Sequence, residues 1–99
     1  MNIFHVAIPE EWENADDELY YSAGSLKTEG FIHCSFSDQL EGVIERYFKG
    51  RGRILVLRIV TENLDSPLVV EPSTGREPYP HIYGPLLRTA VAEVSERWV

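Results

Sequence analysis

The sequence predicts a small α+β fold with two or three helices, and three observations carry that expectation. Apolar, largely β-branched and aromatic runs bounded by turn residues recur at 2–8, 31–36, 54–60 and 68–71, which is the strand signal. Leu40, Val43, Ile44, Tyr47 and Phe48 fall at i, i+3, i+4, i+7 and i+8, the stripe of an amphipathic helix. At 99 residues and 43% hydrophobic content, the chain suits one domain, residues 1–99, with one modest core and two packed layers.

The first strand, NIFHVAI over residues 2–8, alternates Phe4, Val6 and Ile8 with Ile3, His5 and Ala7. Pro9 ends it and suits the first turn of a short helix anchored by Trp12 and Ala15. The stretch from Leu19 to Gly30 reads as irregular. FIHCSF (31–36) is the second strand, with Phe31, His33 and Ser35 on one face and Ile32, Cys34 and Phe36 on the other. The main helix follows, capped by Ser35 or Ser37 and stopped by Gly50. ILVLRIV (54–60) reads as a central strand and LVVE (68–71) as a shorter one. Four of the six prolines lie at 72, 78, 80 and 85, so residues 72–85 read as a stiff loop carrying Tyr79, His81 and Tyr83. The tail is ambiguous: Leu87, Ala90, Val91, Val94 and Trp98 fit helical spacing, and Val91–Val99 also fits an edge strand.

Composition narrows the function classes. The N-terminal residues form no secretion signal and no apolar run is long enough to span a bilayer, so a cytoplasmic, membrane-free protein is expected. One cysteine, Cys34, allows no intramolecular disulfide. Sixteen acids against nine bases give a net charge of −7, a field that repels duplex nucleic acid. A small-molecule ligand is the expected partner, and a monomer the expected state. Arg46, Lys49, Arg51 and Arg53 form a basic cluster that either holds a phosphate or complements a helix C-terminus.

Histidine is the side chain best suited to proton transfer and ligand binding near neutral pH. In both strands the histidine lies opposite the more apolar face, so His5 and His33 are expected in a cleft, joined by His81 from its Pro-flanked loop. Their separations of 28 and 48 residues lack the local pair of a zinc site, and no metal ligands are assigned; a histidine-ligated hydrolase is the third-ranked reading. Cys34 points away from His33 and reads as a buried thiol. Ser35 can share a ligand with His33, and Glu71 at a strand end can act as base or hydroxyl acceptor. No glycine pattern supports a Rossmann or P-loop nucleotide site.

The motifs FHV (4–6), EGFIHCS (29–35), the Gln39 helix ending YFKG, ILVLRI (54–59) and PHIYGPL (80–86) together resemble the bacterial domain-of-unknown-function family 952. The resemblance covers essentially the whole chain. It implies the ADP-ribosyltransferase-like fold, a split mixed or antiparallel β-sheet with a central cleft for NAD or ADP-ribose derivatives, shared with RNA 2′-phosphotransferases. It also implies a strand at the tail. By motif position His5 would contact the ribose, His33 with Ser35 would line the pocket, and Glu71 would assist transfer; His81 with Tyr83 has no counterpart in that pattern. The candidate catalytic set is His5, His33, His81 and Glu71, with Ser35, Tyr83 and Arg58 as ligand-binding candidates. A non-catalytic ligand-sensing or interaction domain is the alternative.

Overall fold

The structure is a computed structural model that describes residues 1–14, 17–73, 75 and 77–99. Ala15, expected as a helix anchor, lies outside the described residues. In chain order the elements are β1 (Asn2–Ala7), α1 (Pro9–Glu13), β2 (Tyr20–Tyr21), α2 (Gly24–Glu29), β3 (Ile32–His33), α3 (Leu40–Val43, continued by a π-helical turn over Ile44–Phe48), β4 (Arg53–Val60), β5 (Leu68–Pro72), β6 (Pro78–Ile82), β7 (Leu86–Leu87) and β8 (Val91–Trp98). Among the described residues the strands pair only antiparallel, in sheets ordered β1-β4-β8, β2-β7 and β3-β6-β5. The α+β class and the few helices agree with the sequence reading, and the tail, whose spacing fits both helix and edge strand, is the strand that the resemblance implied.

Apart from Arg53 and Arg58, β4 is apolar because both of its faces are covered. Leu55, Leu57 and Ile59 pack with Ile3, Ala7, Ile32, Ile82 and Leu86 in the larger core. Ile54 and Val56 turn the other way, onto Val6, Leu40 and Ile44. Of the helical stripe, Leu40 and Ile44 are buried, while the π-helical turn leaves Tyr47 52% exposed. Gly50 then closes the helix at φ 84, a conformation costly for any residue with a Cβ.

Three expectations are corrected. Leu19–Gly30 is not irregular: it holds β2 and α2, the latter ended by Gly30 at φ 89. Residues 72–85 are not one loop, since Pro78–Ile82 is the central strand of its sheet. The prolines are tolerated there because positions 78 and 80 turn their backbone groups away from β5. The Pro80 carbonyl accepts from Cys34 N–H at 3.1 Å and that of Pro78 from Gln39 Nε2 at 2.8 Å. The missing N–H groups thus face the side where β3 pairs over only two residues. Finally, neither Ser35 nor Ser37 caps α3. Gln39 stands at its N-cap without a side-chain cap bond, and its Oε1 instead accepts Phe36 N–H at 2.9 Å.

Candidate functional site

A cavity of about 400 Å³ opens between the end of β1, the start of α2, the chain after β3 and the π-helical turn. His5, His33, Cys34 and Ser35 line one side, and Val43, Tyr47 and Phe48 the other. Ser25, Ser73 and Tyr79 add hydroxyls, and Arg51 stands among the lining residues. The mixture of apolar wall and a few polar groups is typical of small-molecule sites.

His5 is 6% exposed and sits on the same face of β1 as Ile3 and Ala7, so it borders the larger core as well as the cavity, where the alternation suggested a cleft alone. Its Nδ1 lies 2.6 Å from the His33 carbonyl and its Nε2 2.8 Å from the Tyr21 hydroxyl. A carbonyl can only accept, so Nδ1 carries the proton and, in the neutral ring, Nε2 accepts from Tyr21. Burial lowers the His5 pKa to about 4, opposed by the bond to the His33 backbone and assisted by the His33 charge. Burial also pushes the Tyr21 phenol up. At neutral pH His5 is therefore uncharged, with both nitrogens occupied.

His33 differs in each respect. Its side chain is about half exposed, and Nε2 is 2.9 Å from Glu29 Oε2. Its Nδ1 has no hydrogen-bond partner among the described residues. Two positions on, Ser35 is 4% exposed and pinned by a two-way backbone bridge to Phe4 at 2.7 and 2.8 Å. Its hydroxyl has no hydrogen bond among the described residues and belongs to the cavity wall. Between them Cys34 is buried in the core, its thiol pushed well above the usual range by burial, so thiolate chemistry is disfavoured.

Glu71, His81 and Tyr83 form a second cluster. His81 is the direct cross-strand partner of His33 and of Val69, which puts the His33 and His81 rings 5.4 Å apart. Glu71 lies on the diagonal and accepts from His81 Nδ1 at 2.7 Å and from the Tyr83 hydroxyl. Those two bonds, Tyr83 first, hold the Glu71 carboxyl below its usual range. Phe31 stacks on His81 with centroids 4.1 Å apart; His81 is 3% exposed and its Nε2 is buried without a partner among the described residues. None of Glu71, His81 and Tyr83 is among the residues that line the cavity. Arg58 does not line it either: it sits opposite Phe4 on the helix-bearing face of the sheet, 3.5 Å from Glu93. The structure thus brings together His5, His33 and Ser35, and sets the other four candidates apart.

Residues 6–94 match the family described as "Protein of unknown function (DUF952)". The chain belongs to this family. The fold is similar to the crystal structure of protein CC0527 from Caulobacter crescentus, at 27% identity and a TM-score of 0.86, covering 97% of this chain and 85% of that one. It is also similar to the solution NMR structure of CC0527, at 25% identity and a TM-score of 0.74, covering 95% and 82%. No curated protein matches the chain.

For this DUF952 chain the sequence reading missed Tyr21, Glu29, Tyr47 and Tyr79. The Glu29–His33 spacing of four residues is visible in the sequence, but the αL turn at Gly30 that lets the side chains meet is not a helical relation. Tyr21 lies in the stretch read as irregular, and nothing local ties it to His5. Among the described residues no group of three or more His, Cys, Asp or Glu side chains is disposed to hold a metal, so the metal-hydrolase reading finds no ligand set there. What the wall can do is hydrogen-bond a polar ligand through Ser35 and exchange a proton through His33 Nδ1, with Glu29 orienting the ring.

Proposed function

We propose that the cavity binds a small, ring-bearing polar molecule of the nucleotide or ADP-ribose type, with His33 as the histidine placed to exchange a proton with it. The observation that carries this reading is the division of labour within one wall: both ring nitrogens of His5 are engaged, while His33 Nδ1 and the Ser35 hydroxyl have no hydrogen-bond partner among the described residues. Tyr47 and Phe48 opposite supply aromatic surface on which a planar ring can rest.

The ADP-ribosyltransferase-like relationship enters this proposal in reduced form. His5 and Ser35 stand on the cavity wall as that pattern requires, but His5 has no spare nitrogen for a ribose and Glu71 is outside the lining. Those two placements favour binding over group transfer, and a non-catalytic ligand-sensing domain is the second reading. The acidic balance also supports weak affinity for duplex nucleic acid; submicromolar duplex binding at about 150 mM salt would count against it.

The test is thermal melting with NAD, ADP-ribose, mononucleotides and 2′-phosphorylated RNA ends. A true ligand at 100 times its Kd adds about 2.7 kcal/mol to stability, a shift of roughly 10 °C or more in a chain of this size. His33→Ala and Ser35→Ala should each abolish most of that shift. Release of nicotinamide from NAD, absent in His33→Ala, separates transfer from binding. A wild-type protein whose melting no member of the panel moves contradicts the proposal.

A further inference from the structure

We infer that the cavity's ligand carries a phosphate or comparable oxyanion and that Arg51 receives it; this rests on the cavity being a ligand site. The basic cluster contains four cations, and three of them are already engaged. Arg46 Nη1 donates to the Tyr79 hydroxyl at 3.4 Å. Lys49 pairs with Glu45 at 3.1 Å, and Arg53 with Glu13 at 2.7 Å and Glu96 at 2.6 Å. The Arg51 guanidinium has no hydrogen bond or ion pair among the described residues, and its neighbour is the face of Phe48, 5.7 Å from guanidinium carbon to ring centroid.

Its position is built. Gly50 and Gly52 flank it at φ 84 and φ 90, values that restrict both sites to glycine, and a side chain at either would meet no neighbour. The requirement is therefore for the turn's shape and not for space. Arg51 N–H bonds the Phe48 carbonyl at 3.0 Å, and Gly52 exchanges two backbone bonds with Val99 at 2.8 and 3.1 Å. The turn is tied on both sides and displays one side chain.

That side chain stands where two cavities meet. Arg51, Ile8 and Phe48 line both the site cavity and a second one of about 260 Å³ that also touches Arg53. The carboxylates on these walls are Glu11, whose Oε2 is taken by Gly24 N–H at 3.1 Å, and the exposed Glu10. On a chain of net charge −7, a guanidinium at the junction that is unpaired among the described residues is the local positive pole for an anionic group. Its planar fork suits phosphate or carboxylate oxygens. A ligand with its ring against Tyr47 and Phe48 would then place its anionic end at Arg51 and its polar body along Ser35 and His33.

Adenosine and adenosine 5′-monophosphate, titrated into the full chain by calorimetry and amide NMR, test this. The monophosphate should bind about tenfold or more tightly than the nucleoside. Arg51→Gln should bring it down to the nucleoside's affinity, while Lys49→Gln, at a cation paired on the helix surface, should leave it unchanged. Equal binding of the two compounds, or a monophosphate affinity that survives Arg51→Gln, overturns the inference while leaving the cavity a ligand site. If neither compound moves the His33, Ser35 and Tyr47 amides, the inference falls together with the reading beneath it.

Discussion

His5 and His33 share a hydrogen bond and a cavity wall, yet they are opposite kinds of histidine. His5 is enclosed by core residues and joins β1 to β2 and β3 through its two ring nitrogens. His33 contributes its backbone carbonyl to that network and sends its ring toward solvent and Glu29. A histidine's availability for chemistry is thus decided less by where it lies in a strand than by what already occupies its nitrogens. His81 gives the intermediate case: one nitrogen held by Glu71, the other sealed under Phe31.

The comparison can be broken by substitution, and the largest effect belongs to His5. His5→Ala leaves the Tyr21 hydroxyl and the His33 carbonyl without their partner and opens a void, which should cost about 2–4 kcal/mol in urea unfolding; a loss well under 1 kcal/mol would contradict the structural role given to His5. The same group predicts a pH dependence. Its folded pKa, about 4, lies below the unfolded value near 6.5. The unfolded chain therefore binds a proton first as pH falls, and stability that is complete above about pH 6.5 is lost down to about pH 4. The loss is of order 3 kcal/mol. Carboxylates held low, such as Glu71, act only below their own unfolded range, so a His5→Gln variant should flatten the pH 4 to 6.5 window specifically. Next comes His81→Ala, which removes the buried ring beneath Phe31 and should cost about 1–3 kcal/mol while leaving ligand affinity unchanged. Smallest is His33→Ala, within about 0.5 kcal/mol in stability because the ring and its Glu29 partner are half exposed. It should nonetheless remove most ligand affinity.

Strand and helix identities were legible wherever periodicity was local and strong: NIFHVAI, ILVLRIV and the Leu40–Phe48 stripe all became the expected elements. The 72–85 segment was misread because its prolines outweighed the two-residue spacing of Tyr79, His81 and Tyr83, which is itself a strand period. Only the shortness of β3 makes prolines at 78 and 80 acceptable, and that is a tertiary fact. The site was legible in its members and not in its grouping. Placing His5 against the core required knowing that both faces of β1 are covered, by the second sheet on one side and α3 on the other. Setting Glu71 and His81 outside the cavity required the register His33↔His81, which no single-strand pattern encodes.

The most direct test of the account is nitrogen-15 NMR of the histidine rings across pH, with and without a ligand found by melting. The account predicts that His5 keeps its Nδ1–H tautomer and stays neutral to about pH 4, with or without ligand, while the ring nitrogens of His33 respond to ligand and those of His81 do not. A His5 ring that protonates near pH 6.5, or a His33 ring unmoved by a ligand that fills the cavity, would contradict it.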